Sequence, residues 1–333
     1  MRDEFQLIRE LLRHRPRPGN EVEVDVGDDA AVICPRSGMS LVVTCDTMME
    51  TVHFLPCTMA ASDIGWKGMA ANISDIAAMG GNPIGAVISL AAPEEWSDGQ
   101  LAEVYRGLGE AAQRFGVSIL GGDTVRSPKH LVLTITLLGE VEKGKALLRS
   151  SARPGDIVFV TGDLGSSAAG LHLLQREDAE EWQGCFSSLV QAHQRPIPRV
   201  DAGRLLLASG LVPACDDISD GLAQEASEIA EASGVRLVLE GERIPLAPDM
   251  RAYAWECGID PLNWALSGGE DFQLLGTGSR DTWEALRERA TACGIDLIPV
   301  GWVEAGTPGV DYVENGKRKP LTQKGYNHFA ANG

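Results

Sequence analysis

Apolar and polar positions along the chain follow two periods in turn, and each period predicts an element. Residues 3–14 place Phe5, Leu7, Ile8, Leu11 and Leu12 at helical spacing until the Pro16–Gly19 stretch stops the run, so a short amphipathic helix is expected. EVEVDV at 21–26 alternates with period two and predicts a strand that ends at Gly27-Asp28-Asp29; AAVI (30–33) and LVVT (41–44) predict two more. Across 62–81 the apolar positions Ile73, Ile76 and Ala77 share a helical face, with Ser62 as the expected N-cap and Gly80-Gly81 as the stop. A strand at 84–92, a helix at 101–116, a strand at 117–120 meeting Gly121-Gly122-Asp123 and a long strand at 130–141 follow.

At Arg153-Pro154-Gly155-Asp156 the chain turns and the pattern restarts. A strand at 156–162 and a helix at 166–175 precede a polar stretch at 176–186 and a loop at 196–199. Helices are expected at 201–210, 217–234 (with acidic residues at its start) and 281–294, and strands at 235–240 and 296–303. The domain boundary therefore falls near 145–153, dividing the chain into 1–148 and 149–333. Both halves mix strands and helices, with no fixed-period repeat and no low-complexity segment.

Composition narrows the class. The chain has 333 residues, 44% hydrophobic and 23% charged, which suits a soluble protein of about two domains at roughly 150 residues each. Twenty-nine Lys and Arg stand against 47 Asp and Glu, a net charge of −18. That balance argues against nucleic acid and against an anionic membrane surface, both of which are held mainly by Lys and Arg. Seven scattered cysteines without a CxxC pair indicate neither a disulfide framework nor a zinc site. With a charged N-terminal stretch and no apolar run long enough for a bilayer, the expectation is a cytoplasmic protein.

The candidate chemistry is acidic. Asp28 and Asp29, Asp46 and Asp123 follow predicted strands, Asp75 lies on a small-residue helix face, Asp217 and Asp220 open a helix, and Glu270-Asp271 follows Ser267-Gly268-Gly269. Taken singly, each fits a turn residue or a helix cap; Asp217 fits an N-cap, with Asp220 in the first turn. Taken together, converging carboxylates would repel one another unless divalent cations filled the space between them. With no Cys/His set, oxygen-loving Mg²⁺ is the natural choice. No P-loop and no protein-kinase signature is present. The loop Thr161–Ser167 before a predicted helix fits either an anion-holding loop or a plain strand–turn–helix junction.

The segments GDDAAV (27–32), TCDTMMETVHF (44–54), WKGMAANISDIAAMGGNP (66–83), GGDTVRS (121–127), RSSARPGD (149–156), DISDGL (217–222), SGGEDFQLL (267–275) and KGYNHF (324–329) stand in the order and spacing of one family. In this set, and above all in SGGED with KGYNHF, the chain resembles the thiamine-monophosphate kinase family of the aminoimidazole ribonucleotide synthetase-like superfamily. The resemblance implies a two-domain α/β and α+β fold. Its N-terminal domain would bind ATP and Mg²⁺ and form a dimeric β-barrel-like interface; its C-terminal mixed-sheet domain would complete the ATP and substrate site. It implies phosphorylation of thiamine monophosphate by ATP, with several Mg²⁺ ions, in a homodimer.

By motif match, Asp29, Thr44, Cys45, Asp46, Asp75, Asp123, Asp217 and Asp220 would hold metal. Tyr105, Gly121, Gly122, Asp123, Arg149 and Ser219 would contact ATP, and His53, Glu270 and Tyr326 the thiamine phosphate. Cys45, Ser166 and Asn327 depart from the family's usual residues; at Cys45 a metal contact through the backbone carbonyl survives the change, and one through a hydroxyl does not. Lys67 and Arg126 fit phosphate contacts or solvated positions, and Trp66 and Trp264 fit the core. The acceptor is itself a phosphate whose second pKa is about 6, so no general base is expected. Two alternatives remain: another ATP-dependent synthetase of the superfamily, and a Mg-nucleotide-binding protein without turnover.

Overall fold

The computed structural model describes residues 4–26, 30–211, 214–322 and 325. The chain forms two compact units, Met1–Ile76 with Gly81–Ala146, and Ala77–Gly80 with Leu147–Gly333.

The first unit holds α1 (Glu4–Leu12), a small antiparallel pair β1 (Val22–Val24) and β2 (Val32–Ile33), then β3 (Met39–Met49), α2 (Ala61–Ala78), β4 (Asn82–Ala92), α3 (Asp98–Phe115), β5 (Ser118–Arg126) and β6 (Val132–Glu142). Its main sheet has the order β3-β6-β4-β5, antiparallel except for the β4–β5 pair. The crossover from β4 to parallel β5 runs through α3, as parallel neighbours require.

Small residues let α2 lie close to its neighbours. A Cβ on Gly65 would fall 1.9 Å from the Val104 carbonyl of α3, and one on Gly107 would fall 1.7 Å from the Ser62 carbonyl. A Cβ on Gly68 would already touch Leu133 and Met48 of the sheet at 3.1 Å. One sheet face is thus buried, with Leu133, Ile135 and Ile88 essentially inaccessible. The other leaves Leu41, Val43, Val87 and Val125 exposed. Helix α3 begins in a reciprocal cap: Ser97 accepts from the Gln100 N–H, and the Gln100 side chain accepts from the Ser97 N–H.

The second unit contains β7 (Ile157–Val160), α4 (Ser166–Leu174), α5 (Ala179–Gln183), α6 (Ser187–Gln194), α7 (Val200–Ser209), β8 (Cys215–Asp217), α8 (Leu222–Ser233) and β9 (Arg236–Glu240). It continues with α9 (Pro248–Cys257), α10 (Pro261–Ser267), β10 (Leu274–Gly278), α11 (Trp283–Ala292), β11 (Ile298–Glu304), β12 (Gly309–Glu314) and β13 (Lys317–Pro320). The seven strands take the order β13-β12-β9-β11-β7-β10-β8, and only β9 and β12 run parallel. Val158, Leu237 and Val300 of the sheet share one core with Leu173 of α4 and Ile229 of α8.

Four expectations change. Ser62 lies inside α2, whose first residue is Ala61. Strand β5 does not stop at Gly121 but runs on to Arg126, because its backbone pairs with β4 through Ala92. The polar stretch at 176–186 contains α5. Residues 217–221 are not helical: Asp217 ends β8, Asp220 lies in the turn, and α8 begins at Leu222. No described helix is long and apolar enough to cross a membrane.

Candidate active site

In the first unit, β3 and α2 bring Thr44, Asp46 and Asp75 to the covered side of the sheet. The Thr44 hydroxyl donates to the Asp75 carboxylate. Asn72, one turn before Asp75, is fully buried; its side-chain oxygen accepts the Asp46 N–H at 3.1 Å, while its amide donates to the Gly68 carbonyl at 3.0 Å. That amide ties the edge of β3 to α2 and sets where Thr44 and Asp46 project.

Asp123 is not gathered with them. Register places it in the row Thr47–Thr134–Ser89–Asp123, on the open face of the sheet. Thr47 and Thr134 share a 2.9 Å hydrogen bond on that same face. Cys45 also points there, its sulfur accepting from the Thr136 hydroxyl at 3.5 Å. Its thiol is therefore turned away from Thr44 and Asp46.

Gly121 has φ +143°, and a Cβ on Gly122 would lie 1.7 Å from the Ile88 carbonyl. Only glycine lets β5 come this close to β4. Tyr105 is buried in α3, and desolvation pushes its phenol up to about 12, so it is a neutral hydrogen-bonding group. His53 accepts the Met49 N–H on Nδ1 at 3.0 Å, which puts the proton of the neutral ring on Nε2.

In the second unit three motifs meet. The Ser219 carbonyl accepts the Glu270 N–H at 2.7 Å, and the Ile218 carbonyl accepts the Phe272 N–H at 2.9 Å, so the SGGED loop is laced to the DISDG turn. Glu270 and Phe272 both sit at positive φ, +67° and +49°, a conformation that costs energy in a non-glycine residue. Gly325, from the KGY motif, lies so near that a Cβ would stand 2.6 Å from the Asp220 carbonyl.

The turn is braced by Glu225 of α8. Its Oε1 accepts the Asp220 N–H at 2.7 Å and the Ser219 hydroxyl at 3.4 Å. Burial pushes this carboxyl up to about 9, with Asp216 and Asp217 adding repulsion. Arg149 pairs with Asp216 and with Glu228, each at 2.7 Å. Burial pushes Asp216 up to about 7 against the pull of that guanidinium.

Asp271 answers the question left open at the Thr161–Ser167 loop. Its carboxylate accepts the N–H groups of Gly165 at 2.5 Å and Ser167 at 3.2 Å. The acceptor at the start of α4 is the chain's own side chain. Elsewhere, Lys67 is buried rather than solvated, at 1% exposure, while Arg126 pairs with Glu94 at 2.9 Å on the surface. Trp66 is core, and Trp264 stacks on Tyr253 at 5.8 Å. Asp29, Tyr326 and Asn327 lie outside the described residues.

Among the described residues no group of three or more His, Cys, Asp and Glu side chains is placed to hold a metal ion unaided. The donors present are nevertheless carboxylates and a hydroxyl, hard oxygens that suit Mg²⁺. That ion is usually bound by one or two carboxylates completed by water and substrate phosphate.

Residues 27–141 match the family model for the AIR synthase related protein N-terminal domain, and 153–313 the corresponding C-terminal domain. The chain is 41% identical to the thiamine-monophosphate kinase of Bacillus subtilis (strain 168), covering 98% of this chain and 99% of that protein. The chain belongs to the thiamine-monophosphate kinase family. Among solved structures, the thiamine-monophosphate kinase from Stenotrophomonas maltophilia K279a superposes with a TM-score of 0.82 at 33% identity, over 94% of this chain and 97% of that one. AaThiL complexed with AMPPCP and TMP matches with a TM-score of 0.78 at 33% identity, over 99% of both chains.

Thiamine-monophosphate kinase motifs account for Ser219 and Glu270, but not for Asp216, Glu225, His193 or the capping role of Asp271. Asp216 carried a usable signal, since the doubled Asp at the end of a short strand faces the RSSARPGD arginine. Glu225 and His193 read as ordinary helix residues; Glu225 reaches back to the turn five and six residues before it, and His193 finds Ser167 of α4 through packing.

Proposed function

We propose that the chain transfers the γ-phosphoryl group of ATP to thiamine monophosphate, yielding thiamine diphosphate and ADP. A phosphate oxygen of the acceptor forms the new P–O bond as the bond from the γ-phosphorus to the β–γ bridging oxygen breaks. Near neutral pH that acceptor oxygen is already largely unprotonated, so no side chain need act as general base. What carries the reading is the meeting of the DISDG turn, the SGGED loop and Gly325, in a chain matching thiamine-monophosphate kinases end to end. A relative complexed with AMPPCP and TMP supports the same pair of substrates.

In this reading Asp29, Thr44, Asp46, Asp75, Asp123, Asp217 and Asp220 hold Mg²⁺, with Cys45 contributing at most its backbone. When bound, the ions neutralise phosphate charge that a chain of net −18 would otherwise repel. Tyr105, Gly121, Gly122, Arg149 and Ser219 contact ATP. His53, Glu270 and Tyr326 hold the thiamine phosphate, with Tyr326 suited to stack on the cationic ring. Residues 1–148 then serve nucleotide, metal and dimerisation, and 149–333 complete the site. The open apolar face of the first unit pairs with its copy in a homodimer, which brings Asp123 to the interface, and the enzyme works in the cytoplasm.

The test is direct. Purified protein with ATP, Mg²⁺ and thiamine monophosphate is expected to form ADP and thiamine diphosphate in equal amounts, and excess chelator is expected to stop it. Turnover only with another acceptor would favour a different synthetase. Mg-ATP binding by calorimetry without any product would favour a binding protein.

A further inference from the structure

We propose that Glu228 of α8 is a positioning residue for the nucleotide: it holds the Arg149 guanidinium in place before ATP binds. The role rests on the reading of Arg149 as an ATP contact. Arg149 opens the short 3₁₀ turn Arg149–Ser151. Its side chain is half-exposed, and two carboxylates grip it. Nε meets Asp216 Oδ2 at 2.7 Å, and Nη1 meets Glu228 Oε2 at 2.7 Å. Neither takes Nη2, a nitrogen with which a held guanidinium can still donate to a ligand.

Each carboxylate is itself held by its second oxygen. Asp216 Oδ1 accepts the Asp217 N–H at 3.1 Å. Glu228 Oε1 accepts from the side-chain amide of Gln224, one turn earlier in α8, at 3.1 Å. The backbone of the 3₁₀ turn is tied to the same helix. The Ser233 hydroxyl donates to the Arg149 carbonyl at 2.7 Å and accepts the Ala152 N–H at 3.0 Å. Helix α8 therefore fixes Arg149 at the main chain through Ser233 and at the side chain through Glu228.

The second carboxylate does what the first cannot. Held at Nε alone, the guanidinium can pivot about that contact; a contact on another nitrogen of the same plane stops the rotation. Arginine carries one of the largest side-chain entropies, and freedom lost on folding need not be lost again on binding. Asp216 adjoins Asp217, so a change there would also reach the acidic turn. Glu228 meets the guanidinium from the helix, and a change there tests the grip on Arg149.

The experiment uses full-length protein and the substitutions Glu228→Ala, Glu228→Gln and Arg149→Ala, with the double variant of the two alanine changes. Alanine suits a helix, so Glu228→Ala is expected to melt close to wild type. It is expected to raise the KM for ATP about three- to fivefold, the size of a partly exposed ion pair, with the KM for thiamine monophosphate within about 1.5-fold. Glu228→Gln keeps an acceptor oxygen at the same reach and is expected to recover part of the loss. With Arg149 already replaced by alanine, Glu228→Ala is expected to change the KM for ATP by less than about 1.5-fold, because the two residues act as one unit.

An unchanged or lowered KM for ATP in Glu228→Ala, equal rises in both KM values, no recovery in Glu228→Gln, or full additivity with Arg149→Ala would each overturn the inference. Wild-type protein that binds Mg-ATP but does not turn over thiamine monophosphate would remove the kinase reading alone, and the Kd for Mg-ATP by calorimetry then carries the same comparison. Wild-type protein that binds no Mg-ATP removes both.

Discussion

Asp75 shows how a single carboxylate is prepared by its neighbours. It is half-buried, accepts a hydrogen bond from Thr44, and stands one turn beyond the buried Asn72 that ties α2 to β3. Asp75→Asn keeps the shape and an acceptor for Thr44 but removes the charge. It is expected to lower kcat by about 10²-fold or more, in the range seen when charge stabilisation of a transition state is lost, with a melting temperature close to wild type. Activity within a few-fold of wild type, read alongside the thermal transition, would remove Asp75 from the proposed metal ligands. Residue types at this scale were largely legible: an Asp on a helix face of Ala, Ser and Gly stands out. Lys67 was not legible, since a charged residue inside a small-residue helix reads as solvent-facing until the fold covers it. The turn of Cys45 away from Thr44 follows from β alternation, but only once the covered face is known.

At the element scale, two stretches illustrate what local pattern misses. DISDGLAQEASEIAEASG has continuous helical character, yet Asp217 ends a strand because β8 pairs with β10, a partner far along the chain. Helix α4 has no side-chain cap of its own; Asp271, 104 residues beyond Ser167, supplies it. That carboxyl is buried, and desolvation raises it to about 7 from 3.8, with Glu270 and Asp163 adding repulsion and the two N–H groups opposing. Between those values the folded chain keeps a proton that the unfolded chain has released. This contribution to stability is therefore complete below pH about 4 and is lost as the pH rises through about 7. Asp271→Asn removes the titration, so the fall in stability between pH 5 and pH 8 is expected to be shallower than in wild type. Urea midpoints at the two pH values check this, and parallel behaviour of the two proteins would refute it.

At the scale of the whole molecule, the open face of the β3-β6-β4-β5 sheet leaves Leu41, Val43, Val87 and Val125 exposed. Val43 is its most exposed member, at 61%. If that face pairs with a second copy, Val43→Lys is expected to shift the protein from dimer to monomer in sedimentation, because two lysines would then face each other across an apolar contact. An unchanged sedimentation coefficient would place any dimer contact elsewhere. The sequence by itself determined the order of most strands and helices and, through its motifs, the family, since periodicity, turn residues and short motifs are local properties. Only the tertiary structure decided that DISDG, SGGED and Gly325 meet, that Asp123 faces away from Thr44 and Asp75, and that Asp271 caps a helix 104 residues earlier in the chain. Strand pairing and buried hydrogen bonds join residues whose separation leaves no periodic trace, so only packing can reveal them.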